Sequence, residues 1–392
     1  MEDYRQTITE IFDKSKGLTD LNRLSDIVLD NLKYNILTKS AELLLNLIFS
    51  PLTTQSDLDE FLKEWDIEVQ GGHKSLMLSY FMKMHPELDF PAYVKPRLDG
   101  LLQFYRFQNL KLVPHYLKIC NILKKEGIKF LIFKGGCMKH LRPELPRVMG
   151  DIDILVPESD YDRAVKILEQ TDYDISKDIH SIDIHPKGSE EGIMDIHQFI
   201  ILNSESEKVF LPDLFRRATV QKVFGIDTLV PSNEDMVFIA LINMMRNLTN
   251  QTSLQGVPYT LFDCRYLIET KPDFDWNIVI QNANKTKTQI HLYFAIKYIN
   301  KIVPELLSEK ICFDKDFEVS CKEYITLLIY QRFYLSELRE ICREMKIKDL
   351  FSNKEFFIKY LKLKPKYFVS KMKIVKNNPF LAKLILKSER TK

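Results

Sequence analysis

The chain has 392 residues, 45% of them hydrophobic and 28% charged, with a net charge of +2. That length suits two or three domains, and the composition is that of a globular protein rather than a disordered one. A balance so near neutral excludes a molecule that binds polyanions by charge alone, and no apolar run is long enough to span a bilayer.

Residues 1–112 read as a helical N-terminal region. Ala41–Ile48 and Leu58–Trp65 carry apolar residues at three- and four-residue spacing, and Gly71-Gly72 breaks the pattern. A longer helical pattern runs from about Tyr93 to Lys125. Its stripe includes Leu101, Tyr105, Leu112, Tyr116, Ile119 and Leu123, and Gly127 stands at its C-terminal end. The period then shortens. Ile128–Phe133 predicts a strand, Cys137–Leu141 a short helix, and Asp151–Val156 a second strand. A helix follows over Ser159–Gln170 with Ser159 as N-cap, then two strands over Ser181–His185 and Ile193–Ile201. Residues 113–230 are therefore expected to be a small α+β core with a mixed sheet. Residues 231–392 return to helices, opened by Ser232 as N-cap with Asp235 three residues on. The six cysteines, Cys120, Cys137, Cys264, Cys312, Cys321 and Cys342, form no CxxC pair and no metal-ligand spacing. With no secretory leader, they are expected to be reduced thiols in a cytoplasmic protein.

The stretch GDIDILV, Gly150–Val156, sets two carboxylates into an otherwise buried strand. Side chains alternate along a strand, so Ile152, Ile154 and Val156 share one face and Asp151 and Asp153 the other, with Cα atoms about 7 Å apart. Two like charges that close repel each other unless a cation joins them, and a hard divalent ion such as Mg²⁺ fits carboxylate oxygens. A solvated strand face explains an isolated DxD equally well. Three neighbours favour the ion. Lys134-Gly135-Gly136 follows a strand and opens a helix, where backbone N–H groups can meet a phosphate. Met194-Asp195-Ile196-His197 puts a third carboxylate on another strand, with His197 on the same face. The order of these pieces is the third.

With FLIFKGG, RVMGDIDILVP and MDIHQ in that order, the chain resembles the polymerase-beta-like nucleotidyltransferase superfamily. It is most like a group of largely uncharacterised bacterial nucleotidyltransferases, over about residues 115–270. The fourteen residues between Gly136 and Asp151 are slightly more than most of the superfamily has, and the insert Arg142–Arg147 reads as a loop. The resemblance implies that Gly135 and Gly136 hold the triphosphate of an NTP. It implies that Asp151 and Asp153 bind Mg²⁺ or Mn²⁺, and that Asp195 shares the catalytic metal and activates an acceptor hydroxyl. Lys134 and Arg147 are candidate phosphate contacts. His197 orients a phosphate or the acceptor, or is a structural histidine.

Three Asp-Ile-His triplets occur, at Asp178, Asp183 and Asp195, and the third acid is expected at Asp195, with Asp183 a strand-surface residue. Asp263 and Arg265 read as a buried ion pair or part of an acceptor pocket. The segment from Phe356 to Lys392 is basic and interleaved with aromatic residues. It suits an anionic partner (lipid, nucleic acid or an acidic protein) or a helical face packed on the rest of the chain. The acceptor, whether small molecule, protein or RNA, and the base of the NTP are not readable. A non-catalytic nucleotide-binding or scaffold protein of the same fold is the alternative.

Overall fold

Among the described residues, seven strands join in one mixed sheet with the order β3-β4-β5-β2-β1-β7-β6. They are β1 (Leu131–Ile132), β2 (Ile152–Leu155), β3 (Tyr173–Lys177), β4 (Ser181–Pro186), β5 (Met194–His197), β6 (Thr219–Val223) and β7 (Ile226–Val230). In this computed structural model the described residues are 39–50, 52–65, 72–177, 181–189, 192–201, 207–250, 256–304 and 306–307, all within one compact unit. The first 38 residues, the Asp178 triplet, Cys312, Cys321, Cys342 and the basic C-terminal segment lie outside them.

Eleven helices occur among the described residues. Four precede the sheet: α1 (Lys39–Phe49), α2 (Gln55–Glu64), α3 (Gly72–Met84) and α4 (Val94–Lys125). Three are woven between its strands: α5 (Lys134–Leu141), α6 (Glu158–Leu168) and α7 (Glu207–Arg217). Four follow it: α8 (Asn233–Asn250), α9 (Gly256–Glu269), α10 (Trp276–Thr286) and α11 (Gln289–Ile302). The fold is α+β, with a mixed sheet between helical flanks.

Helix α4 shows why the chain folds this way. Leu98, Leu102, Leu112, Tyr116, Ile119 and Leu123 recur at helical spacing and are all buried. The helix ends where Gly127 takes φ +67°, which a Cβ would strain. The Gly127 and Ile128 N–H groups then donate to the Lys124 and Leu123 carbonyls at 3.1 and 2.9 Å. The Tyr116 hydroxyl meets Thr228 Oγ1 at 2.7 Å and so ties the helix to β7.

Several expectations need correction. The strand expected over Ile128–Phe133 is paired only at Leu131 and Ile132, which sit between antiparallel β2 and parallel β7. Ser159 does not cap α6. Pro157, with φ −53°, already turns the chain into the helix and accepts from the Asp160 N–H at 2.9 Å, so Ser159 falls inside the first turn. Ser232 does cap α8: its hydroxyl accepts from the Asp235 N–H at 3.2 Å and donates to Asp235 Oδ2 at 2.8 Å. Asp235 is fully buried, a costly place for a lone carboxylate. Arg217 grips it twice, at 2.6 and 2.9 Å, and Asn282 donates at 2.8 Å, so one acid fastens α7, α8 and α10 together.

Three cysteines among the described residues, Cys120, Cys137 and Cys264, are free and buried. Burial pushes the Cys137 thiol up to about 12, so it is inert rather than nucleophilic. No helix among the described residues is long and apolar enough to cross a membrane.

Candidate active site

The sheet register brings the acids together. β2 runs parallel to β5 with Asp153 opposite Asp195, and β4 runs antiparallel to β5 with Asp183 opposite Asp195. Directly opposed residues share a face, so Asp153, Asp195 and Asp183 form a row across three strands. Asp151 lies just before β2. It lines the same cavity as Asp153. Ile152, Ile154 and Ile196 are fully buried on the opposite face. The alternation read from GDIDILV holds, with one difference: both faces of β2 are covered, and Asp153 is only 5% exposed. A solvated strand face is thereby excluded for Asp153.

A buried carboxylate needs partners. Asp153 Oδ1 accepts from Lys134 Nζ at 2.5 Å and meets His197 Nε2 at 2.9 Å. Burial alone would raise the Asp153 pKa. The Lys134 ammonium and His197 outweigh it and hold the group far below the usual carboxylate range. Asp151 and Asp195 go the other way. Burial, then the negative charge of Asp153, push Asp151 up to about 6. Burial, then Asp151, Asp153 and Asp183, raise Asp195 well above the ordinary value. Asp153, Asp195 and His197 each offer a ligand atom within 4.8 Å of the others. Two hard carboxylate donors and mutual repulsion among the acids fit a divalent ion. His197 is 2% exposed and its ring lies edge-on to Phe133, with centroids 5.1 Å apart.

The glycine pair divides its work. Helix α5 begins at Lys134, so both glycines fall in its first turn. Gly135 lines the cavity, where its lack of a side chain leaves backbone open to a ligand. Gly136 faces the sheet instead. A Cβ there would come within 2.9 Å of Ile152 Cγ2 and 3.2 Å of Ile132 Cδ1. Gly136 thus lets α5 lie against β2. Gly136→Ala is therefore expected to cost about 1–3 kcal/mol of stability, as overpacking a core does. Gly135→Ala should leave the melting temperature nearly unchanged and weaken nucleotide binding. Thermal denaturation and calorimetry on the two variants check the division, and equal stability losses would sink it.

The cavity holds about 340 Å³ between α5, the loop before β2, and helices α8 and α9. Lys134, Arg147, Asp151, Asp153 and Asp263 give it a charged side, and Met236, Ile239, Met244, Val257 and Leu267 an apolar one. Such a mixed wall with a few polar groups is what a small ligand needs. Arg147 belongs to the wall by a strong tie. Its two terminal nitrogens donate to Asp263 at 2.6 and 3.2 Å, and the guanidinium lies 4.7 Å from the Tyr259 ring centroid. Asp263 is thus in a buried ion pair, but with Arg147. Arg265 pairs with Glu269 at the surface.

Two positioning residues escaped the sequence reading. Asn109 Nδ2 donates to the Arg147 carbonyl at 2.6 Å, and Asn109 Oδ1 accepts from the Met149 N–H at 3.1 Å. The Tyr259 hydroxyl accepts from the Val148 N–H at 3.2 Å. Together they fix the loop that delivers Asp151. A signal for Asn109 did exist: it is a polar residue on the apolar stripe of α4, between Tyr105 and Leu112.

Residues 75–304, more than half of the chain, match the profile of a family described as uncharacterised nucleotidyltransferases. The chain belongs to this nucleotidyltransferase family. The match covers α4, the whole sheet and helices α8 to α11, and so includes every side chain of the cavity. A search among curated proteins finds no match.

Proposed function

We propose that this nucleotidyltransferase moves a nucleoside monophosphate from an NTP to an acceptor and releases pyrophosphate, with Asp151, Asp153 and Asp195 holding Mg²⁺ or Mn²⁺. The observation that carries this reading is the register of Asp153 against Asp195 on adjacent strands, beside a cavity lined by Lys134 and Gly135. A divalent ion, when bound, neutralises charge developing on the phosphate oxygens. The chain's own residues do the rest. The first turn of α5 offers backbone N–H groups to a phosphate at Gly135. The Lys134 ammonium adds a mobile positive charge. His197 holds Asp153 by Oδ1 and so orients its carboxylate. Asp195, opposite Asp153 on β5, is the base for the acceptor hydroxyl in this reading. Arg147, held on the cavity wall by Asp263, remains a candidate phosphate contact beside Lys134.

The acceptor is a small molecule, a protein side chain or an RNA end. The test is to incubate the protein with each labelled NTP, Mg²⁺ or Mn²⁺, and cell extract as the source of acceptor. The expected result is metal-dependent pyrophosphate release with a labelled product. Nucleotide binding without release under all conditions would leave a nucleotide-binding protein and end the transfer reading.

A further inference from the structure

Asp153 Oδ1 is crowded. A carboxylate oxygen has two lone-pair sites, and here one faces the Lys134 ammonium at 2.5 Å and the other His197 Nε2 at 2.9 Å. An ion that is to use this oxygen must displace one of them. His197 cannot leave readily, being 2% exposed and set against Phe133. Lys134 can. Its side chain is 22% exposed, it lines the cavity, and four rotatable bonds carry its head group.

The backbone of Lys134 adds a second observation. Its φ is +52°, in the left-handed region that costs a residue with a side chain about 1 kcal/mol or more. A glycine would sit there without strain. The chain keeps a lysine at a strained position that hands its ammonium to Asp153.

We propose that the Lys134 ammonium and the divalent ion compete for Asp153 Oδ1, and that the triphosphate, by drawing Lys134 away, lets the ion take its full place. Lys134 is then a positioning residue with two stations. At Asp153 it is an internal counter-ion for the acidic row. In the cavity it is a phosphate ligand. The consequence is coupling: ion and nucleotide each bind more tightly when the other is present, and metal binding without nucleotide is held down. This proposal rests on the metal-site reading above.

The test measures Mn²⁺ binding to the full-length protein, without nucleotide, by electron paramagnetic resonance. It compares the wild type, Lys134→Met, Lys134→Gly and Asp153→Asn. Removing the ammonium should tighten Mn²⁺ binding about tenfold in both lysine variants. Lys134→Gly also relieves the backbone, so it guards against poor folding of Lys134→Met. In parallel, with Mn²⁺ saturating, a non-hydrolysable α,β-methylene NTP should bind the lysine variants about tenfold more weakly. Opposite shifts in the two assays support the exchange. Equal Mn²⁺ affinity in the wild type and both lysine variants, with Asp153→Asn weakened, would overturn the exchange while leaving the metal site standing. Weaker Mn²⁺ binding in the lysine variants would overturn it too. No Mn²⁺ binding by any form would overturn both the exchange and the metal-site reading.

Discussion

Asp153→Asn is expected to abolish transfer and also to lower the stability of the protein. The first effect follows from chemistry: an amide cannot supply the charge that a divalent ion and its phosphates need, so turnover should fall by about three orders of magnitude or more. The second follows from the partners. Asp153 is buried, yet Lys134 and His197 hold its pKa well below the ordinary value. A depressed acid contributes stability above its unfolded pKa and loses it as pH falls through the folded one. At neutral pH that contribution is fully present, and the substitution removes it, leaving the Lys134 ammonium beside a neutral group. A cost of about 1–3 kcal/mol is expected. A simple picture of repelling aspartates predicts the opposite sign, because it omits the ammonium. Thermal denaturation in the presence of a chelator decides: a melting temperature at or above that of the wild type would refute the pairing. Full activity of the variant would refute the metal site.

How far the sequence reaches is clear from particular residues. GDIDILV is legible because strand alternation is strict, so two acids two apart must share a face. The partnership of Asp153 with Asp195 was legible only through resemblance, since register between strands of different hairpins depends on long-range pairing that no local pattern encodes. The same limit hid the row: Asp183 looks like a surface residue of its own strand, and only the β4–β5 pairing sets it against Asp195. No strand is read from the sequence at β3, β6 or β7; for β3 and β6 the reason is that edge strands bury little. Tyr173 is the only buried residue of β3, and Val223 the only one of β6. The glycine pair was read as one device. The contacts that Gly136 would make with Ile152 and Ile132 show that its neighbour alone faces the cavity. The Arg147–Asp263 pair spans 116 residues, and nothing in either segment announces the other.

The last expectation separates Asp195 from Asp183. Asp195→Asn should cut turnover by about 10²–10⁴-fold, the usual worth of a positioned acid or base, with more lost if the ion is displaced as well. Nucleotide should still bind, because Asp151, Asp153 and the Gly135 turn remain. The stability effect runs opposite to that of Asp153→Asn. Burial and its acidic neighbours raise Asp195 in the folded protein, so its folded state holds a proton that the unfolded chain releases. Such a group contributes stability below the unfolded pKa and loses it as pH rises through the folded value. In chelator, Asp195→Asn should therefore gain on the wild type as pH climbs from 5 to 9. Asp183→Asn keeps the row's geometry and removes one repelling charge. Its turnover should stay within a few-fold of the wild type. Pyrophosphate release across pH, beside calorimetric nucleotide binding, reads all of these. An inactive Asp183→Asn with an active Asp195→Asn would put the third carboxylate on β4 rather than β5. Activity in both, with nucleotide still bound, would leave Asp151 and Asp153 as the acids that matter.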